Sequence, residues 1–203
     1  LLPRIYRTSE HFILTWGIIM ATRAFHRQTG VTLIEILLTL VILGILPCTA
    51  LPSFRGIMQS TQARSARDSL MSGLNLARSS ALTSSNHVVL CPSEDNQTCS
   101  GNTSWQSGWI VFQDSNADNQ HNNNEPLIAV NQHQPAGQAI MSTEGRTHVT
   151  YRPDGSASGS NVTISFCDAR GAALASAIIV NNAGRPRTGK PSATQAAAAC
   201  AAI

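Results

Sequence analysis

Residues 30–46, GVTLIEILLTLVILGIL, constrain this chain more than any other stretch. The run opens on Gly30, is apolar throughout, and is interrupted by one acid, Glu35. No other charge occurs across residues 31–51. At helical rise those 21 residues extend about 30 Å, the thickness of one hydrocarbon core. A carboxylate in such surroundings is costly unless it meets a cation, so Glu35 marks a functional position. The simplest reading is a membrane anchor or signal sequence with one tolerated acid. Arg23 and Arg27, set just before Gly30, narrow it.

Gly30 followed by Val31-Thr32-Leu33-Ile34-Glu35 resembles the type III signal of type IV prepilins and pseudopilins. The resemblance implies that a membrane-embedded prepilin peptidase cuts after Gly30 and that Val31 becomes an N-methylated first residue. It also implies that Glu35 pairs with the N-terminal amine of a neighbouring subunit in the filament. Such a pairing is physically sound, because a buried carboxylate needs a buried cation and a new α-amine supplies one. Val31 departs from the commoner Phe or Met at this place. Residues 1–30 are then a leader. Met20 is the expected start, with residues 1–19 an over-extended reading frame; a longer genuine leader is the alternative.

Formal net charge is +3, but Arg4, Arg7, Arg23, Arg27 and Glu10 all precede the expected cut. Ten basic and ten acidic residues remain beyond it, so any affinity for nucleic acid must rest on local clustering. Of five cysteines, Cys48 falls in the apolar stretch and four lie beyond it. An even set in an exported chain reads as two disulfides with three possible pairings. The expected pairs are Cys91–Cys99, closing a short loop, and Cys167–Cys200, tying down the tail. Metal ligation is the weaker alternative, since no histidine stands at a matching spacing.

Residues 31–52 are expected to form a transmembrane and filament-core helix, kinked or locally opened at Pro47 and Pro52. Over residues 53–85, Leu70, Leu74, Ala77 and Ala81 recur at three- and four-residue spacing among Arg64, Arg67, Asp68 and Arg78. That pattern is an amphipathic continuation of the helix, its arginines on a solvated face. Residues 86–203 turn to short β-like runs: 87–90, 108–113, 127–131, 147–152, 162–167 and 176–180, with Pro153-Asp154-Gly155 as a turn. A long helix followed by about six antiparallel strands is an α+β fold. The alanine-rich tail, 193–203, reads as helix or disorder, tethered through Cys200.

The run Cys91-Pro92-Ser93 to Cys99, then Trp109-Ile110-Val111-Phe112 with Asp114 and Asn116, resembles the GspH/FimT group of minor pilins. Phe166-Cys167-Asp168, Arg170-Gly171 and residues 180–187 extend that likeness over nearly all of the chain from Gly30. It implies a type IV pilin-like architecture and three possible roles. These are a FimT-like subunit linked to DNA uptake, a FimU-like tip subunit that primes assembly, and a GspH-like type II secretion pseudopilin. Its implied partners are major and minor pilins and the prepilin peptidase. It places the protein in the inner membrane by a single pass, its C-terminal domain periplasmic, before assembly into an extracellular pilus.

One cluster could carry a specific activity. Arg170, Arg185, Arg187 and Lys190 give +4 over residues 170–190, and no acid follows Asp168. Within Gly184-Arg185-Pro186-Arg187-Thr188-Gly189-Lys190, glycine and proline argue against helix or central strand and predict an exposed loop. Arginines two apart in such a loop each reach a phosphate. The segment resembles the Gly-Arg-x-Arg signature of DNA-binding FimT proteins, mapped onto Gly184, Arg185 and Arg187, which implies double-stranded DNA as partner. A solvated basic turn is the alternative.

Asp114, Asn116, Asp118 and Glu125 fit positions 1, 3, 5 and 12 of a calcium loop, with Asn119 in place of the turn glycine. A strand precedes them rather than a helix, and a polar hairpin loop of Asx turns explains them as well. His87, His121, His133 and His148 are scattered, no serine sits in a nucleophile-elbow motif, and neither a P-loop nor a dinucleotide fingerprint occurs. No enzyme and no cofactor is implied.

Overall fold

The computed structural model describes residues 30–132, 137–157 and 159–203, with the side chains of 47–53 outside the described set. The leader, Arg23 and Arg27 included, therefore lies outside the described residues, as do His133 and the side chains of Pro47, Cys48 and Pro52. Two compact units divide the chain, Leu1–Gly44 and Ile45–Ile203.

Helix α1, Leu33–Ser84, is 52 residues long. In the first unit it starts at Thr32, whose hydroxyl accepts the Glu35 N–H at 3.3 Å while its carbonyl accepts the same group at 3.1 Å. The large apolar side chains of residues 31–43 are 48% to 78% exposed, on every side of the helix. Among the described residues, however, no helix is long and apolar enough to cross a membrane. Where the sequence predicts a kink or local opening at Pro47 and Pro52, the backbone stays helical and is not opened. Each proline deletes one backbone bond and leaves those on either side to hold the turn.

In the second unit the three- and four-residue spacing of Leu70, Leu74, Ala77 and Ala81 does what it predicts. All four are buried, at 1%, 0%, 0% and 0% exposure. Fully burying each leucine contributes on the order of 2 kcal/mol. Ser85, at φ 52°, turns the chain out of the helix.

Among the described residues eight strands follow: β1 His87–Pro92, β2 Trp109–Asp114, β3 Leu127–Asn131, β4 Gln138–Ser142, β5 Val149–Tyr151, β6 Val162–Asp168, β7 Ser176–Val180 and β8 Pro186–Gly189. They form two antiparallel sheets, ordered β3-β2-β1-β5 and β4-β6-β7-β8. Both sheets send residues into one core with α1: Leu90, Trp109 and Tyr151 from the first, Ile164, Phe166 and Ile178 from the second. Trp109 packs closely on the helix because residue 73 is glycine; a Cβ there would meet the indole at 2.5 Å. On the far side of the first sheet, Val89, Cys91, Ile110 and Phe112 make a smaller core under the loops.

Strands β4 and β8 are additions to the sequence reading. The 184–190 segment, expected as a loop, is an edge strand over Pro186–Gly189 that pairs with β7 alone. Proline is tolerated there because it opens the strand at a sheet edge, where a missing N–H breaks no ladder on the outer side. The tail becomes helix α2, Ala193–Cys200. Its start is a capping box in which Ser192 accepts the Gln195 N–H and Gln195 reaches back to the Ser192 N–H.

Candidate nucleic-acid interface

The β7–β8 hairpin is built around Gly184. Its φ is +73°, and a Cβ at this position would sit 2.1 Å from the Gly155 carbonyl oxygen. The Gly184 N–H donates to the Asn181 carbonyl at 2.9 Å, and the Ala157 N–H donates to the Asn182 carbonyl at 3.0 Å. The turn is thus closed within itself and docked on the loop after β5. The Arg185 N–H donates to the Asn181 side-chain oxygen at 3.3 Å, fixing the chain as it enters β8.

Strand register then decides where the cations go. Val180 pairs with Pro186, Ile178 with Thr188, and Ile179 with Arg187. Ile178 and Val180 face the core under α1. Paired residues share a face and neighbours alternate, so Arg187 lies with Ile179 on the outer face of the sheet. Arg185 and Arg187 are exposed, and among the described residues neither guanidinium has an ion pair or hydrogen bond. Lys190, also exposed, belongs elsewhere: with Arg67, Thr188 and residues 173–176 it lines a depression of about 360 Å³ on the helix side. The cluster that is continuous in sequence is split between two faces.

Arg170 is engaged within the domain. Its guanidinium forks onto Asp168, Nε to Oδ1 at 2.9 Å and an Nη to Oδ2 at 2.7 Å, and its backbone N–H donates to Oδ1 at 2.9 Å. Asp168 is almost fully buried, and the arginine hydrogen bonds hold its carboxyl below the ordinary range. The pair carries no net charge, which corrects the +4 count of the segment. The signal was local: an aspartate two residues before an arginine and a glycine.

The remaining sequence candidates fall into structural roles or stand apart. Disulfides join Cys91 to Cys99 and Cys167 to Cys200. The first closes a loop in which Asp95 accepts from the Thr98 hydroxyl and N–H at 2.7 Å each and from the Gln97 N–H at 2.8 Å. Those donors, the Thr98 hydroxyl foremost, pull its carboxyl far below the ordinary range. Asp114 is buried and accepts the N–H groups of Asp118 and Asn119, while Glu125 accepts those of Ser115 and Asn122. Asn116 and Asp118 bond to each other. The segment is an Asx-turn loop whose carboxylates are engaged by backbone amides. Among the described residues no group of three or more His, Cys, Asp or Glu is placed to hold a metal.

His121 spans the Gln97 and Glu125 carbonyls, at 2.6 and 3.1 Å, and stacks edge-on against Phe112. His148 is half-buried, and desolvation, aided by Arg146, lowers its pKa. Gly30 and Val31 are exposed ahead of α1, and Glu35 stands in the first turn of the helix. Thr32-x-x-Glu35 is also the opening pattern of a capping box, and an acid there complements the helix dipole. Two functional candidates were missed from sequence, Arg64 and Arg67. They lie on α1, more than 120 residues before Lys190, and only the fold brings Arg67 beside it.

The family model for the type II transport protein GspH matches residues 66–184. That for the prokaryotic N-terminal methylation motif matches residues 25–46. Two crystal structures of the type IV minor pilin FimU of Pseudomonas aeruginosa are similar in fold. One is 18% identical over 68% of this chain and 98% of the other, with a TM-score of 0.48. The second is 15% identical over 71% and 98%, with a TM-score of 0.49. No curated protein matches the chain.

Proposed function

Because this chain belongs to the GspH family of minor pilins and pseudopilins, and carries the N-terminal methylation motif, we propose that it is a minor type IV pilus subunit that binds DNA. The DNA is extracellular and double-stranded, bound without sequence preference for uptake in natural transformation. One observation carries this: Arg187 on the outer face of an edge strand, and Arg185 at its entry, are both exposed and without an ion pair among the described residues. Two or three phosphate contacts give weak, salt-sensitive binding indifferent to sequence. A filament compensates by presenting more than one contact to a long polymer.

In this reading the prepilin peptidase cuts between Gly30 and Val31, and Val31 is N-methylated. The protein waits in the inner membrane with its C-terminal domain in the periplasm, then joins other pilins. Glu35 takes the α-amine of a neighbouring subunit, and the exposed apolar surface of residues 31–43 becomes filament contact.

A mobility shift tests the DNA claim, using the full chain in non-ionic detergent and an arbitrary duplex at roughly 50 mM salt. The wild type binds, and Arg185→Gln with Arg187→Gln weakens binding about tenfold or more. Equal binding by the double variant, or none by the wild type, leaves a structural tip subunit or a secretion pseudopilin as the better account.

A further inference from the structure

Arg64 and Arg67 have a second setting beyond the solvated helix face that the sequence predicts. Arg67 lines the depression of about 360 Å³ bordered by Lys190, Thr188 and Ser176. An adjoining depression of about 190 Å³ is lined by Ser60, Arg64, Arg67, Arg170, Leu174 and Ser176. The two share Arg67, Leu174 and Ser176 and together make a trough along residues 173–176.

Its charge is under-compensated. Asp168 is fully engaged with Arg170. Asp68, the other acid, is 70% exposed and reaches Arg67 only at 3.5 Å. That is long for a charge-assisted hydrogen bond, and Arg67 Nε is buried without a hydrogen-bond partner. Among the described residues Arg64 and Lys190 have no ion pair. The hydroxyls of Ser176 and Thr188 add donors along the walls, while that of Ser60 already donates to the Ile57 carbonyl at 2.8 Å. Three cations, an unmet guanidinium donor and two hydroxyls match a phosphate, which offers several strong acceptors around one charge.

We propose that Arg64, Arg67 and Lys190 form a second phosphate-binding site on the helix side of β8. It takes a backbone segment of the same duplex that Arg185 and Arg187 meet on the outer side, and so rests on the DNA-binding reading above. The chain through edge strand β8 thereby presents Arg187 on one face of the sheet and Lys190, just beyond the strand, on the other. The number of phosphates engaged rises from about two to about four or five, and each contributes roughly 0.9 to the salt slope.

Fluorescence anisotropy of the full chain in non-ionic detergent with an arbitrary labelled duplex, across a salt series, decides this. The Arg64→Gln/Lys190→Gln pair should lower affinity about tenfold at roughly 50 mM salt and flatten the slope by about 1.8. Arg55→Gln, an exposed charge on the same helix outside the trough, should change either quantity far less per charge removed. Arg64→Lys/Lys190→Arg, which keeps the charge, should restore most of the loss and separates it from misfolding. If the trough pair does no more than Arg55→Gln while Arg185→Gln/Arg187→Gln still weakens binding, the second site is wrong and the DNA reading stands. Absence of wild-type binding overturns both. Displacement of duplex from the wild type but not from the trough pair by about 1 mM inorganic phosphate would mark a site for free phosphate and overturn the proposal. Competition only at tens of millimolar is the result expected of a backbone contact.

Discussion

Arg170 and the pair Arg185/Arg187 are the same side chain in one basic stretch, yet they end in opposite states. Arg170 follows a strand that delivers Asp168 to within 2.7 Å, and the fork it makes removes it from the surface charge. Arg187 sits on a strand with one neighbour and Arg185 at its entry, in a part of the chain without acids, and nothing in the described structure neutralises them. A charge in the sequence becomes a binding charge only where the fold withholds a partner. The glycine beside each differs in the same way. Gly171 has open space around it, whereas Gly184 is pressed against Gly155.

The largest effect should therefore come from Gly184→Ala. The new Cβ meets a backbone carbonyl, which cannot swing aside as a side-chain tip does, and a φ of +73° is strained for alanine as well. The expected cost is about 3 kcal/mol or more, read by urea denaturation of the full chain in detergent. DNA affinity should fall with it, because both arginines hang from this turn. Gly171→Ala has no such clash and pays only the strain of its φ of +90°, so it should cost less by about 1–2 kcal/mol. Equal losses at the two glycines would remove the special place given to Gly184.

How far the sequence reaches follows the same division. The α1 face was legible because periodicity reports burial directly, and Leu70, Leu74, Ala77 and Ala81 are all core. Alternating or apolar runs gave β1, β2, β3, β6 and β7. Strand β4, QAIMS, escaped because it is short and polar at both ends, with Gln138 and Ser142 buried by tertiary contacts. Strand β8 escaped because proline and glycine argue against a strand, and only its edge position makes them harmless. At the site, Arg185 and Arg187 were legible as a motif. The fork on Arg170 was local and could have been read from Asp168. The approach of Arg67 to Lys190 was out of reach, since it depends on how the second sheet lies on the helix.

Asp168→Asn probes the neutralised side of the comparison. Replacing the carboxylate leaves the Arg170 guanidinium without its charge partner and should cost about 2 kcal/mol near neutral pH. Because the folded carboxyl lies below its ordinary value, the stabilisation is complete above about pH 4, where the unfolded group is ionised. It is lost as pH falls through the lower folded value. Wild type and variant should therefore differ in urea midpoint at pH 7 and 5 and draw together as pH falls below about 4. In DNA binding the sign reverses: the freed arginine should steepen the salt slope by about 1. A variant that is less stable but unchanged in slope would place Arg170 out of reach of the duplex.

The smallest effects should come from exchanging arginine for lysine, and they separate the two regions most cleanly. A lysine keeps the charge but replaces the planar fork by a single ammonium. At Arg170 the fork is what is used, two parallel bonds to the two oxygens of Asp168, so Arg170→Lys should lose about 1 kcal/mol of stability. At Arg185 and Arg187 the charge is what is used. The double lysine variant should unfold at the wild-type midpoint and keep the wild-type salt slope, with affinity changed about threefold or less. Were the double lysine variant to bind about tenfold or more weakly while its salt slope stayed the same, the arginines would be gripping phosphate by bidentate geometry. The outer face of β8 would then be a shaped site rather than a charged edge.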